Sequence, residues 1–589
     1  MASPNVSDKE AMSDMKHLGV EKTSSFEQGE VAMPATRRGL SPRHVQLMAI
    51  ASGIGTGLFI GIGGVLRNAG PLPLLVGYII YGLGFIWPTG LNVAEMLSWL
   101  PIRGSIFELA ARYVDPALGF AMGWTYFFAG AMLVCTEYAA VAAVAEFWDT
   151  GLNPAIWVAI SLVICYFLNM VAVRWYGETE FIMGSTKILL LFGLILATFI
   201  TMVGGNPRGD AYGFRNWANG DFAHPYYTTG ATGYFLSVCI SVRYAVFTVA
   251  GPDILSLAAG EIRNPRKTIP RTAKLIAARI ISFYLLGVLA VGIICNSRDP
   301  RLLGAIDSGS AGAAASPWVL GLLNAGISGF LPHLINAIIL MSGLSCGNAF
   351  LYAASRTLYS LAQDGMAPKV LLKCTKAGVP WVSVTLVTVI SLLTFMTASN
   401  QASDVFQWFL ELTTVALVVN FTAMSVVFIG WCRALKAQGI PRVGRNTLQT
   451  SRRCGIFPRK VVEVPDESTG GIIFPYTAPA SSWTPYTCLV LGSTVTIFIG
   501  FDVFHPFSYR GFITSYFGLA WFVVMFLFWK IVKRTKVVDP AQVDIYAGGL
   551  KQQIDEDCAI WEEGLADEAE EERIRKMNFL SRAWVRVWG

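Results

Sequence analysis

Two short stretches place polar backbone where an apolar sequence should hide it. ASGIGTGLFIG, residues 51–61, carries Gly53, Gly55, Gly57 and Gly61, with Ser52 and Thr56 among them. VFTVAGPDILSLAAGE, residues 246–261, carries Gly251-Pro252 followed by Asp253. Each glycine costs roughly 1 kcal/mol against alanine inside a helix, and proline removes a backbone donor and clashes with the preceding turn. A membrane helix tolerates such residues where it unwinds against a protected cavity. The spacing therefore predicts a break at Ser52–Gly57 (Ser52, Gly53, Ile54, Gly55, Thr56, Gly57). It predicts a second at Thr248–Pro252, with a new helix opening at Pro252-Asp253. A helix starting after the first break aims free N–H groups of Gly55, Thr56 and Gly57 at an anion such as a carboxylate. A helix ending at the second aims carbonyls near Val249, Ala250 and Gly251 at a cation such as an ammonium. Side by side, the two ends suit a zwitterion, of which an α-amino acid is the obvious case. The competing reading of the small residues is close helix packing alone.

The elements that must position these breaks are membrane spans. The chain has 589 residues, of which 54% are hydrophobic and 14% charged, and its mean hydropathy is +0.51. Soluble domains usually hold about 25% charged residues, and many apolar runs here reach the roughly 20 residues that cross a bilayer as a helix. Uninterrupted runs exclude a β-barrel, whose strands alternate. The expected fold is an all-α polytopic membrane protein with twelve spans at 44–66, 71–98, 117–148, 154–173, 182–204, 232–259, 274–296, 331–361, 380–399, 405–433, 484–503 and 512–533. The piece 317–330 is too short to span and reads as a helix in the outer interface.

Of the 45 Lys and Arg, 36 fall on the side of the N-terminal tail, 6 on the other side and 3 within spans. That bias predicts both termini in the cytoplasm. The basic residues form no nucleic-acid patch, and no cleaved signal peptide is visible in residues 1–43. The ten cysteines lack metal spacing, and five of them (Cys135, Cys165, Cys239, Cys295, Cys346) sit in or at the ends of apolar runs, so neither a disulfide framework nor a metal site nor any cofactor is expected. The five histidines (His17, His44, His224, His333, His505) match no catalytic motif, and no enzyme is expected.

The interrupted spans are the first and the sixth, five apart, the arrangement of an inverted-repeat transporter with a midplane site. The expected core is LeuT-like: a first five-helix repeat over 44–204, a second over 205–433, and two extra helices over 484–533. A loop with an insertion at 444–472 occupies 434–483. The tails, 1–43 and 534–589, read as cytoplasmic; the second reads as solvated with some helix, and either could meet regulators.

Runs along the chain also resemble a known family. RHVQLMAIASGIGTGLFIG (43–61), YVDPALGFAMGW (113–124), AAGEIRNPRKTIPR (258–271), LPHLINAIILMSGLSCGNAFLYAASRTLYSLAQDGMAP (331–368) and GVPW (378–381) are similar to the yeast amino-acid transporter family, the fungal permeases of the amino acid–polyamine–organocation superfamily. The resemblance spans about 40–435. It implies proton-coupled amino-acid uptake across the plasma membrane, with substrate held at the two breaks. The sequence departs from the family pattern: Ala51-Ser52 replaces a double glycine, and Val249, Gly251 and Asp253 stand where an aromatic, a glycine and a glutamate are usual. The AGPD variant resembles a branch with carnitine-like and broad substrates.

Charges inside spans sharpen this picture, because each costs about 2.5–3.5 kcal/mol at the bilayer centre. Lys187 has two readings. It snorkels to the headgroups, or, as the resemblance implies, its ammonium takes the place of a coupling sodium ion and exchanges a proton. Glu137, near the centre of the third span, must be protonated or paired, with Arg243 as a candidate partner; Arg243 could instead meet a substrate carboxylate or snorkel. Asp253 reads as a stabiliser of the new helix start. Glu95 and Glu261 read as structural or gating. The expected partners are a zwitterionic amino acid, protons and the lipid bilayer, with no nucleic acid. A carnitine, choline or polyamine permease and a non-transporting nutrient sensor of the same fold are the alternatives.

Overall fold

The structure is a computed structural model. It describes residues 55–102, 105–148, 151–170, 173–218, 220–249, 252–253, 256, 259, 264–307, 316–375, 378–444, 473–547 and 550–562. All belong to one unit, Arg38–Gly589.

The described spans are helical. They comprise α1 (Ile62–Ala69), α2 (Pro71–Trp99), α3 (Pro116–Trp148), α4 (Pro154–Met170), α5 (Val173–Met202), α6 (Gly230–Thr248), α7 (Pro265–Ile294), α8 (Phe330–Gln363), α9 (Trp381–Ala398), α10 (Ala402–Ala437), α11 (Thr484–Val503) and α12 (Tyr509–Lys533). Ten of these are long and apolar enough to cross a membrane; α4, with 17 residues, is a shorter apolar helix. Only residues 55–66 of the expected first span lie among the described residues. Their starts are chemically marked. Proline, whose missing N–H costs nothing in a first turn, opens α2, α3, α4 and α7. Asp115 also caps α3 by accepting from the Ala117 N–H at 2.8 Å.

The core helix is α3, buried along nearly its whole length between α8 and α10. Outward from it, α11 and α12 pack on α10, and α12 buries only Ser515 and Gly518. Exposed apolar residues such as Val163, Phe167, Leu189, Leu196, Val203, Val524 and Ile531 suit contact with lipid.

A pairwise correspondence runs through the packing. Helix α3 packs on α4 and α10, and α8 packs on α9 and α5. Helices α2 and α7 each contain one π-helical segment, Gly82–Ile86 and Ile280–Leu285. The two segments touch: a Cβ on Gly82 would lie 2.8 Å from Ile280 Cγ2. One turn away, the rings of Tyr78 and Tyr284 pair with centroids 6.4 Å apart.

Several expectations shift. Helix α5 starts at Val173, not 182, because the polar stretch RWYGETE is helical rather than a loop. Helix α6, by contrast, stops at Thr248, where the break in the sixth span is expected. The segment expected at the outer interface forms a helix at Pro317–Asn324, and residues Pro317 to Leu322 of it are buried against the protein. The tail from 534 is not simply solvated. Its described part docks on helix ends, burying Val543, Ile545, Ile554 and Cys558. A helix at Leu550–Glu562 sets Lys551 4.1 Å over the Trp99 ring, and Gln438 donates to the Val543 carbonyl at 2.7 Å. The expected insertion lies outside the described residues apart from Gly444.

Candidate functional site

The first break is visible from Gly55 onward. Gly55 is extended, with φ −96° and ψ −175°, and precedes one tight turn, Thr56–Leu58. The Phe59 and Ile60 N–H groups both bond to the Thr56 carbonyl, at 3.0 and 2.9 Å. Regular helix resumes only at Ile62. Ser52, Gly53 and Ile54 lie outside the described residues.

The second break is equally local. The Val249 N–H still reaches the Ala245 carbonyl at 2.8 Å, but Val249 itself is extended, with φ −102° and ψ 94°. The last carbonyls of α6 thus meet the end of their helix, where no intrahelical donor remains. Ala250 and Gly251 lie outside the described residues, and Pro252 and Asp253 are helical again.

The fold brings the two breaks together. The Tyr244 hydroxyl donates to the Gly57 carbonyl at 2.7 Å. A Cβ on Gly57 would stand 2.7 Å from Phe247. The Thr248 hydroxyl donates to Tyr78 Oη at 2.7 Å. From the other side, Ser316 donates to the Phe59 carbonyl at 2.7 Å and the Trp318 indole to the Leu58 carbonyl at 3.1 Å. These bonds satisfy carbonyls that an unwound segment leaves bare.

Glu137 of α3 sits in the first break. The Thr56 hydroxyl donates to its Oε2 at 2.9 Å, and the Thr56 main-chain N–H bears on the same carboxyl group. Its Oε1 lies 2.7 Å from where a Cβ of residue 55 would stand, so only glycine lets the carboxyl approach this closely. The protein's own carboxyl group therefore occupies the place expected for a ligand's carboxylate.

Lys187 is 1% exposed. It is enclosed by protein and does not snorkel. Its Nζ donates to Cys346 Sγ of α8 at 3.1 Å, and both Glu180 and Glu137 act on its charge. Cys346 Sγ in turn lies 3.9 Å from the Gly55 Cβ position, so the break, the thiol and the ammonium are neighbours. Glu180 is buried and accepts from the Ser345 hydroxyl at 3.0 Å.

Two carboxylates have settled partners. Asp253, expected to steady the new helix start, accepts from the Tyr126 hydroxyl of α3 at 2.9 Å. Glu95 accepts from Arg442 at 2.6 Å and from the Ala478 N–H at 2.8 Å, which ties the end of α2 to the segment after α10. Glu261 lies outside the described residues.

Arg243, one candidate partner for Glu137, is engaged elsewhere. Arg243 bonds to Asp502 at 3.0 Å, and the second oxygen of Asp502 accepts from the Tyr226 hydroxyl at 2.8 Å. Glu411, itself held by Thr514, adds negative charge beside the guanidinium. The last turn of α11 supplies the partner that periodicity within α3 and α6 could not reveal.

Sequence reasoning singled out neither Tyr126, Glu180 nor Cys346 for the site. Glu180 left a signal: it precedes Lys187 by seven residues, two helical turns, which puts both on one face once α5 is extended to Val173.

Residues 44–446 match the family model for amino acid permeases. The chain is 36% identical to the proline-specific permease of Emericella nidulans, over 93% of both chains. It is 35% identical to the dicarboxylic amino acid permease of Saccharomyces cerevisiae, over 93% of this chain and 85% of that one. It is 31% identical to the lysine-specific permease of the same yeast, over 90% and 80%.

Proposed function

The chain belongs to the amino acid permease family and carries amino acids across a membrane; we propose that it does so as a proton symporter, by exchanging Glu137 for the substrate carboxylate at the first break. The observation that carries this reading is the Glu137 carboxyl group on Thr56 and against Gly55. Two carboxylates cannot share one site while both are charged. Protonation of Glu137 neutralises it, weakens its hold on Thr56 and frees the N–H groups of Gly55, Thr56 and Gly57 for the incoming carboxylate. The substrate ammonium faces the carbonyl end of α6 near Val249 and Ala250, with Asp253 fixing the helix beyond. Substrate binding is thereby conditional on a proton, which is the requirement for symport.

Lys187 supplies the second exchange. Its ammonium lies beside Cys346 and feels the charges of Glu180 and Glu137, and a lysine, unlike an arginine, can give up its charge when buried. A membrane potential of 100 mV contributes about 2.3 kcal/mol per inward charge, equivalent to roughly fifty-fold accumulation of a neutral zwitterion.

The architecture proposed around the site is two inverted five-helix halves, 44–204 and 205–433, followed by α11 and α12. The matched π segments of α2 and α7 and the matched packing of α3 and α8 support it. The charge bias supports cytoplasmic termini and loops, and the family resemblance supports the plasma membrane. The docked segment around Leu550–Glu562 is the place where a cytoplasmic regulator would act on the transporter.

The test is uptake of labelled proline, glutamate and lysine by the full-length protein in liposomes with an imposed pH gradient, inside alkaline. Accumulation of one of them that collapses when the gradient is removed supports symport. Accumulation indifferent to the gradient sinks it.

A further inference from the structure

We propose that Glu180 takes the proton from Lys187 and releases it toward the cytoplasmic end of α5. The inference rests on the symport reading above and assigns a group that reading does not use.

Glu180 is 4% exposed, inside a bundle where an isolated carboxylate is costly. One oxygen, Oε1, accepts from Ser345 of α8. The other, Oε2, is buried and has no hydrogen-bond partner. The Asn348 side chain bears on the carboxyl group, but its buried Nδ2 closes no bond to it. Asn348 is held in turn by Asn169 of α4, which donates to its Oδ1 at 2.8 Å. A carboxyl group with one anchored and one free oxygen has a place for a proton.

The groups around it give that proton a source. The described residues bearing on Glu180 or the Lys187 beside it include Lys187 on its own helix, Ser345, Cys346 and Asn348 from α8, Cys165 from α4, Glu137 from α3 and Tyr284 from α7. Lys187 is the cation in this set. Seven residues of helix put the two Cα atoms roughly 10 Å apart along α5, with Glu180 nearer Val173, the cytoplasmic end in the orientation proposed above. The step balances: the Lys187 ammonium loses one proton and becomes an amine, the Glu180 carboxylate gains it and becomes a carboxylic acid. Two buried opposite charges disappear together, so neither is left uncompensated in a low-dielectric interior. Glu180 then gives the proton to water at the inner surface and regains its charge, and the neutral Lys187 is ready for the next proton delivered past Glu137.

The experiment compares wild type with Glu180→Gln and Glu180→Asp in liposomes, using whichever of labelled proline, glutamate and lysine the wild type accumulates. Gln keeps the shape and can still accept from Ser345, but cannot exchange a proton. Two readouts are taken: substrate exchange at equal pH on both sides, and gradient-driven accumulation at internal pH from 6 to 8. The proposal expects Glu180→Gln to exchange substrate within about three-fold of wild type, to lose at least ten-fold in accumulation, and to lose the wild type's dependence on internal pH. Glu180→Asp regains part of both. Accumulation by Glu180→Gln that matches wild type and follows internal pH overturns the role of Glu180 while symport stands. Equal loss of exchange and accumulation in both variants shows a structural role and also overturns it. If Gln does not fold, Asp alone decides: an unaltered internal-pH profile overturns the proposal and a displaced one supports it. Wild-type accumulation that ignores the gradient removes the symport reading itself.

Discussion

Two cations within the helical bundle, Lys187 buried and Arg243 half-buried, are handled in opposite ways. Arg243 meets Asp502 at 3.0 Å, and Asp502 is fixed further by Tyr226. Lys187 meets a thiol at 3.1 Å and feels the charges of two carboxyl groups, each held by a hydroxyl from elsewhere in the chain: Glu137 by Thr56 and Glu180 by Ser345. The first arrangement uses a guanidinium, which keeps its charge in proteins, and a carboxylate in direct contact. The second uses an ammonium, which unlike a guanidinium can give up its charge when buried, with two carboxyl groups acting on it. One cluster fastens α6 to the last turn of α11; the other borders a break in a helix. A buried charge is therefore not by itself a sign of mechanism. What distinguishes the two is whether the cation itself can give up its proton.

That contrast can be broken most directly at Lys187. Lys187→Ala is expected to abolish gradient-driven accumulation, a loss of at least about ten-fold, and Lys187→Arg to fail as badly, because arginine keeps the charge but cannot return the proton. Unchanged pH-driven uptake by either variant in liposomes would remove the distinction. Next in size, Glu137→Gln imitates the protonated site. Substrate binding, followed by scintillation proximity or calorimetry across pH 5 to 8, should lose most of its pH dependence, while uphill transport falls several-fold. Binding that stays as pH-dependent as wild type would place the coupling elsewhere.

The static cluster should respond in stability rather than coupling. Asp502→Asn leaves Arg243 without its main counter-charge. For a pair this well shielded, we expect about 2 kcal/mol of destabilisation, read as a lower midpoint in detergent thermal unfolding, with the pH dependence of transport kept. A transporter that loses coupling and keeps its midpoint would reverse the assignment of the two clusters.

The smallest effect is expected at His224, in the connection before α6, whose ring bonds to the Ser297 hydroxyl at 2.7 Å. Burial, and then the Arg298 guanidinium, hold the imidazole below its ordinary value, with Asp221 opposing. With the folded value below the unfolded one of 6.5, the unfolded segment binds more protons in between. The contact is then fully stable above pH 6.5 and weakens as pH falls toward the folded value. Hydrogen exchange of the Tyr226 amide should quicken modestly from pH 7 to 5, after correction for intrinsic rates, and His224→Gln should remove that pH dependence without touching coupling. A pH dependence that survives the substitution would exclude His224 as its source.

Much of the architecture and part of the site were legible because their causes are local. A run of about 20 apolar residues is a span wherever it packs, and ten spans stand where the hydropathy put them or within a few residues at most ends. The larger misses were polar helix ends: α5 gained nine residues and α7 starts at Pro265, because a helix can leave the membrane without ending. The departures from helix at Gly55 and Val249 were legible for the same reason, since glycine and proline act on their own backbone. Asp253, read from sequence as a stabiliser of its helix start, accepts from Tyr126 across 127 residues, a contact beyond the reach of local pattern.

What sequence could not give is who faces whom. Thr56 and Glu137 are 81 residues apart, Lys187 and Cys346 are 159, Glu180 and Ser345 are 165, and Arg243 and Asp502 are 259. Periodicity tells which side of a helix is apolar and is silent on the neighbour that side meets. Arg243 and Lys187 looked alike as single charges in apolar runs; only packing distinguished the fastened one from the exchangeable one. The chain's chemistry thus set the spans and where two of them give way, because those are properties of consecutive residues. Its folding decided that Glu137 fills the first break, because that depends on helices brought together across the whole length of the protein.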